Sequence, residues 1–431
     1  MASAKSPDPS TLAPWAEPSW TYSSNPHYNE SHRRLRDALR AYINEHVYPH
    51  MLDWEAAGAA PQEERLRWGM SGFAFGDVPK QYRPANLPNV KGVLEHESDI
   101  FHLLVSVDET ARMEGGVGTS LSGASVIGVP PIVAHGTKEQ KRRWLPGLFE
   151  WKTSFCLGIT EPSGGSDVGN LRTTAKKTPD GRFYVVDGTK KWITGAPWAT
   201  HMTTAVRTGG PGMRGVSVIV IPLDAEGVSR TKVHNSGQNA GGASLVELDN
   251  VKVPVENLLG KENEGFKIIM TNFNKERFVM SIQCNRKART CLTHALRYAH
   301  TRHTFGQPLM SHQIIRHKLA LLAVDVEAHW AWLEQIATRI QNAPDGFNTP
   351  DLIPSIALSK VMGGRMLERA AREAQQIFGG AGYQKGGPGA IVEQISRDLR
   401  MMVVGGGSEE IIEDLAVREE IKASKRRGWK L

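Results

Sequence analysis

The hydrophobic pattern of this chain changes period twice, and that change restricts the fold more than any single residue does. Before about residue 153 apolar residues recur at helical spacing. Leu35, Leu39, Tyr42 with Ile43, and Val47 form one such stripe, which ends near Pro49. Further helix is expected from about Glu95 to Met113 and from Thr137 to Leu148, with the proline-rich stretch 78–90 as a loop. From 153 onward short β-rich runs take over. Phe183–Val186, the Asp187-Gly188 pair and Lys190–Thr194 predict a hairpin, and the apolar run Val216–Ile221 predicts a buried strand. Beyond Asn263 the helical period returns. Ile315, Leu319, Leu322, Val326, Leu333, Ile336 and Ile340 hold one face for about 26 residues. Two more helical stretches cover about 351–378 and 409–425, while residues up to Asn29 lack any period and read as an extended arm. The expected class is α+β, with an arm (1–29), a helical domain (30–152), a β-domain (153–260) and a second helical domain (261–431).

Charge and cysteines narrow the partners. With 52 basic and 45 acidic residues the net charge is +7, which suits an anionic ligand, an anionic surface or nucleic acid. No apolar run approaches the ~18 residues of a membrane span, so no membrane association is expected. Cys284 and Cys291 lie roughly 10 Å apart along a helix, too far to pair with each other, and no Cys or His spacing suggests a metal. With Cys156 they fit a reducing compartment, either the cytoplasm or the matrix of a peroxisome or mitochondrion. No secretory or transit signal is evident, and the ending Trp429-Lys430-Leu431 shares only its last two residues with a peroxisomal address.

The chemistry-bearing segments come in a fixed order. Ile159-Thr160-Glu161-Pro162-Ser163-Gly164-Gly165-Ser166-Asp167-Val168 is a Gly/Ser-rich turn after a strand, able to bring amides and hydroxyls against a phosphate or a ring edge. Trp192-Ile193-Thr194 follows, then Asp249-Asn250-Val251-Lys252-Val253-Pro254 and Asn257-Leu258-Leu259-Gly260. Arg302-His303-Thr304-Phe305-Gly306 with His312-Gln313, Gln376-Ile377-Phe378-Gly379-Gly380-Ala381-Gly382-Tyr383 and Arg397-Asp398 complete the series. Together they resemble the signatures of the acyl-CoA dehydrogenases, over residues 30 to 425 and least before 118. The resemblance implies a helical N-terminal domain, a middle β-barrel or sandwich and a C-terminal four-helix bundle. It also implies FAD, an acyl-CoA substrate, and a homotetramer or homodimer active in fatty acid metabolism.

Site residues follow from the same resemblance. Leu157, Ile159, Thr160, Trp192 and Thr194 would border the flavin ring. Ser166, Arg302, Thr304, Phe305, Gln313, Gln376, Gly380, Ser408 and Glu410 would contact the dinucleotide, some of them across a subunit interface. Ser166, Phe273, Asn274 and Arg277 would contact the CoA thioester, although Asn274 stands where an acidic residue is common. The segment His234–Gly242 departs from the family pattern and carries no assigned role. Taken singly, Trp192 and Phe305 would read as core aromatics.

Oxidising a Cα–Cβ bond beside a thioester needs a base for the α-proton. Many relatives carry it as a glutamate in a turn near the C-terminus, whose register here falls on Gly406 in Val404-Gly405-Gly406-Gly407-Ser408-Glu409-Glu410. Glycine accepts no proton. The isovaleryl- and long-chain-type relatives place the base in a Glu-Arg pair on the helix after the β-domain, which matches Glu276-Arg277. Glu276 is therefore the expected base, and Gly406 keeps a backbone N–H for the thioester oxygen. Glu409 and Glu410 fall outside that register and should begin the next helix, while the glycine run could leave room for a bulky acyl group. Electrons would pass to an electron-transfer flavoprotein, or to O₂ if the chain is an acyl-CoA or nitroalkane oxidase. A nucleic-acid-associated flavoprotein is the third reading, prompted by Lys422, Lys425, Arg426, Arg427 and Lys430. That branch normally carries a further helical domain, for which this chain is too short.

Overall fold

The computed structural model describes residues 13–88 and 98–430. Helices α1 (Glu30–His46), α2 (Met51–Ala57), α3 (Gln62–Gly69), α4 (Ile100–Thr110), α5 (Val117–Ser122), α6 (Ser125–Gly128), α7 (Pro130–His135) and α8 (Lys138–Trp144) precede the strands. Strands β1 (Phe155–Gly158), β2 (Thr174–Lys177), β3 (Phe183–Ile193), β4 (His201–Arg207), β5 (Val216–Pro222), β6 (Val228–Lys232), β7 (Ser244–Pro254) and β8 (Leu258–Leu259) follow. Then come α9 (Gly265–Thr301), the small strands β9 (His303–Thr304) and β10 (Gln307–Pro308), α10 (Gln313–Gln341), α11 (Ile353–Phe378), α12 (Ala390–Val404) and α13 (Glu409–Arg426). The chain forms two compact units, one within Met1–Ile43, Gly92–Glu114 and Arg277–Leu431, the other within Asn44–Lys91 and Gly115–Glu276.

The sheet belongs to the second unit. Its order is β6-β7-β3-β2-β4-β5-β8, with β1 pairing parallel to β4. The Val216–Ile221 run is the strand expected, fully buried along β5. The expected 183–194 hairpin is not a hairpin. Phe183–Ile193 is one continuous strand pairing with β7, and Asp187-Gly188 makes a register shift in that pairing rather than a turn. Gly188 sits at φ 150, where an added Cβ would lie 2.7 Å from Thr173 Cα, so the glycine serves a close strand approach. The chain reverses one Asp-Gly pair earlier, at Asp180-Gly181 between β2 and β3, with Gly181 at φ 72.

In the first unit the apolar stripe of α10 is buried as its spacing requires, from Leu319 through Ile340. Its first part, Leu319 to Val326, belongs to a core shared with Leu292, Leu296, Leu367, Ile377 and Ile395. The helix expected from Glu95 begins at Ile100 instead, because Asp99 caps it by accepting from the Phe101 and His102 N–H groups; residues 95–97 lie outside those described. Helices α2, α3, α5 to α7 and α12 lie outside the helical stretches expected from the sequence, and most of them are too short to show a period. The described part of the N-terminal arm is not extended. Residues Ser19–Thr21 form a 3₁₀ turn, Trp20 is buried and stacks on Tyr28 at 4.3 Å, and Glu17 is buried in an ion cluster.

That cluster anchors the arm. Arg286 on α9 donates to both Asp108 oxygens, to the Ala16 carbonyl at 3.0 Å and to Glu17 at 3.3 Å. Arg40 donates from Nη2 to the same Glu17 oxygen at 2.8 Å and from Nε to Glu109 at 2.9 Å. Burial pushes the Glu17 carboxyl up, but Arg286 and Arg40 outweigh it and hold the group at about 2.

Candidate active site

In the sheet-bearing unit, β1 delivers the chain into the Gly/Ser-rich segment. Glu161 and Gly164 exchange two backbone hydrogen bonds of 3.1 Å, closing a tight turn. The Glu161 side chain, almost wholly buried, is what fixes it. Its carboxylate accepts from the Arg172 N–H at 2.6 Å, the Thr173 N–H at 2.9 Å, the Thr173 hydroxyl at 2.6 Å and Lys190 Nζ at 2.8 Å. Lys190 also donates to the Ile159 carbonyl at 3.1 Å. Burial pushes the Glu161 carboxyl up, yet Lys190 and the hydrogen bonds bring it down to about 2. For Lys190 burial prevails over the pull of Glu161 and lowers the ammonium to about 8. Glu161 is therefore a structural lock of the segment, a role its position in the motif did not disclose.

The lock sets an acid limit. A carboxyl ordinarily near 4.5 and held at about 2 binds its proton more weakly in the folded chain than in the unfolded one. Its stabilisation is complete above pH 4.5 and is lost as pH falls toward 2. In denaturant unfolding, Glu161→Gln should be less stable than the natural chain at pH 7 by about 3–5 kcal/mol, as for a broken buried pair. That gap should narrow on acidification below pH 4.5; a gap independent of pH would rule out the lock.

The lock positions the residues around it. Thr160 and Thr194 are half-buried, and the Thr160 carbonyl accepts from the Lys191 N–H at 2.9 Å. Neither threonine N–H nor hydroxyl has an acceptor among the described residues. Leu157, Ile159 and Phe273 line one narrow apolar crevice together with Asn272. Ser166 is exposed and Asn274 buried. Trp192 is 51% exposed at φ 58, in a register shift of β3 against β7 and with Lys191 over its ring. It is not a core aromatic. On α9, Asn272 donates to Glu276 Oε1 from one turn earlier on the helix, and Glu276 is half-buried. Nothing in the sequence pattern marked Asn272.

In the other unit, Arg277 is buried and its Nε donates to the Gly406 carbonyl at 3.0 Å. Gly406 and Gly407 have φ of 68 and 111, in the region that favours glycine. Met280 lies beside the run: its Cε is 2.8 Å from where a Gly405 Cβ would be, and its Sδ 3.1 Å from that of Gly406. The glycines are thus packed against the flexible end of a neighbouring side chain. Glu409 and Glu410 open α13 as expected, and Glu409 pairs with Arg365 at 2.5 Å. Ser408 is the N-cap residue of that helix, half-buried, with Glu410 exposed.

Arg302, Gln313, Gln376 and Gly380 are exposed, and Thr304 is half-buried. Phe305 and Gly306, at φ 51 and 77, form the two-residue tip of the β9–β10 hairpin, which leaves Phe305 96% exposed. Like Trp192, it is held in solvent by left-handed backbone rather than packed. Among the described residues one group has metal-ligand chemistry, His32, Asp99 and His102. His32 Nε2 and His102 Nδ1 lie 3.0 and 2.9 Å from the same Asp99 oxygen, which also caps α4, so these groups are occupied by hydrogen bonds to one another.

Comparison with known proteins decides the family. Profiles for the acyl-CoA dehydrogenase N-terminal, middle and C-terminal domains match residues 29–152, 156–251 and 263–420. The acyl-CoA dehydrogenase AFT10-1 of Alternaria alternata is 42% identical over 424 residues, 96% of this chain and 98% of that protein. The chain belongs to the acyl-CoA dehydrogenase family. Acyl-CoA dehydrogenase apdG of Emericella nidulans is 39% identical, covering 97% of each chain. A crystal structure of a probable acyl-CoA dehydrogenase from Mycobacterium abscessus superposes with a TM-score of 0.82 at 30% identity, over 91% of this chain and 99% of that one. The fold is accordingly that of the family, a helical N-terminal domain, a middle sheet domain and a helical C-terminal domain.

Acyl-CoA dehydrogenases are FAD-dependent oxidoreductases. The residues present fit that cofactor: the unspent N–H and hydroxyl groups of Thr160 and Thr194 are the partners a flavin ring edge requires. No helix among the described residues is long and apolar enough to cross a membrane.

Proposed function

We propose that this acyl-CoA dehydrogenase converts an acyl-CoA thioester to its 2,3-enoyl-CoA, with Glu276 as the α-proton base. The observation that carries the reading is at Gly406, which has no side chain to act as a base while its N–H has no acceptor among the described residues. That amide receives the thioester oxygen and acidifies the α-proton. Asn272 orients the Glu276 carboxylate with a neutral amide, so the base keeps its charge without a cation bound through that contact. FAD, when bound, supplies the hydride-accepting N5 for the β-carbon. Leu157, Ile159, Thr160, Trp192 and Thr194 border its ring, and Ser166, Arg302, Thr304, Phe305, Gln313, Gln376, Gly380, Ser408 and Glu410 hold its remainder. Ser166, Phe273, Asn274 and Arg277 hold the CoA thioester.

Electrons leave to a carrier flavoprotein. The oligomer is a homodimer or homotetramer, supported by Phe305, an aromatic held 96% exposed on a strained hairpin tip. The nucleic-acid reading is the less favoured one: of the five basic tail residues, Lys422, Arg426 and Arg427 pair with Glu419, Asp351 and Glu420 at 2.5–2.7 Å.

The test is anaerobic mixing of the holoenzyme with straight and branched acyl-CoA thioesters. At least one should bleach the oxidised flavin, and the bleached enzyme should recolour slowly in air but quickly with a carrier flavoprotein. Fast recolouring in air with peroxide release would make it an oxidase. No bleaching by any thioester would end the proposal.

A further inference from the structure

In the turn after α12, four carbonyls are engaged and three successive amides are open. Lys360 Nζ donates to the Val403 carbonyl and, at 2.9 Å, to that of Gly407. Arg277 holds the Gly406 carbonyl at 3.0 Å, and the Ile412 N–H holds that of Ser408 at 3.0 Å. The N–H groups of Gly406, Gly407 and Ser408 have no acceptor among the described residues. With both glycines at positive φ, this arrangement is a concave set of amides able to receive an oxyanion.

Lys360 is the unusual member. It is 2% exposed on α11, and no carboxylate among the described residues lies within ion-pair distance of it. A buried ammonium without an acid partner is costly, and its location at the C-terminal end of α12 recovers part of that cost through the helix dipole. Capping α12 alone would not require burial, since an exposed cation caps a helix equally well. What burial adds is a fixed hold on the carbonyls either side of Gly406 by a group that water does not screen.

We infer that Lys360 is a positioning residue for the reaction. By holding the Val403 and Gly407 carbonyls it keeps the Gly406 amide turned away from its own chain and available to the thioester oxygen. The inference rests on the dehydrogenase reading above and on the role given there to Gly406. Lys360 touches neither substrate nor flavin and acts through the turn.

Two readings on the FAD-loaded enzyme test it, in Lys360→Met and in the milder Lys360→Gln. At saturating acyl-CoA, flavin reduction per bound flavin should slow roughly 10- to 100-fold, less than the ~10²–10³ of deleting an oxyanion donor outright, while KM changes little. The infrared carbonyl stretch of bound enoyl-CoA should move toward its free-ligand value. A residue that only stabilises the fold would lower the melting temperature and leave both readings unchanged. Either variant reducing its flavin at the natural rate, or showing an unshifted stretch, would overturn the inference. If the natural enzyme bleaches with no thioester, the dehydrogenase reading itself falls; if it bleaches and the variants match it, only the role of Lys360 does.

Discussion

Glu276→Gln is expected to abolish turnover while keeping the flavin. The substitution preserves side-chain volume and removes the proton acceptor, so anaerobic flavin reduction should slow by roughly 10²–10⁴-fold or more, as for deletion of a general base. Acyl-CoA affinity should stay close to that of the natural enzyme, because the variant amide still pairs with Asn272. Asn272→Ala should give a smaller loss, since it removes one hydrogen bond that orients the carboxylate and leaves the carboxylate itself in place. Stopped-flow reduction of the two variants separates base from orienting group. A Glu276→Gln enzyme that bleaches at the natural rate would place the base elsewhere.

The second large effect is on stability. Arg286→Met should destabilise the chain by about 3–5 kcal/mol, the cost of leaving buried charges without their partner. Arg286 is 2% exposed and joins Asp108 of α4, the Ala16 carbonyl and Glu17 of the arm. Without it Asp108 loses its bidentate partner, and Glu17 keeps Arg40 at 2.8 Å. The arm should therefore loosen, and proteolysis ahead of Glu30 should accelerate along with the fall in denaturation midpoint. A variant within about 1 kcal/mol of the natural chain, with its arm still protected, would show that the cluster contributes little.

The hydrophobic period made the helix–sheet–helix order, the buried strand β5 and the stripe of α10 legible in the sequence, because burial on one face leaves a repeating mark. The family followed from its ordered motifs. What stayed hidden was relational. Asp187-Gly188 looks like a turn until β7 is seen pairing along both sides of it. The arm reads as extended because Glu17 finds its partner, Arg286, 269 residues further along the chain. Glu161 was in view within its motif, but Lys190 lies 29 residues away and Thr173 12. Asn272 and Lys360 belong to helices whose spacing carries no sign of chemistry, and only the groups they face give them a role. Trp192 and Phe305 show the converse: aromatic identity suggested a core, and positive φ with exposure placed them outside it.

The Met280 contact beside the glycine turn bears on where a base can be placed. A glutamate introduced at position 406 would have its Cβ 3.1 Å from the Met280 sulfur and would have to adopt φ 68, at a cost of about 1–2 kcal/mol for an L side chain. The sulfur ends a flexible side chain that yields by a few tenths of an ångström, so the backbone is the heavier obstacle. Adding Gly406→Glu to a Glu276→Gln enzyme would therefore exchange one carboxylate position for a strained one.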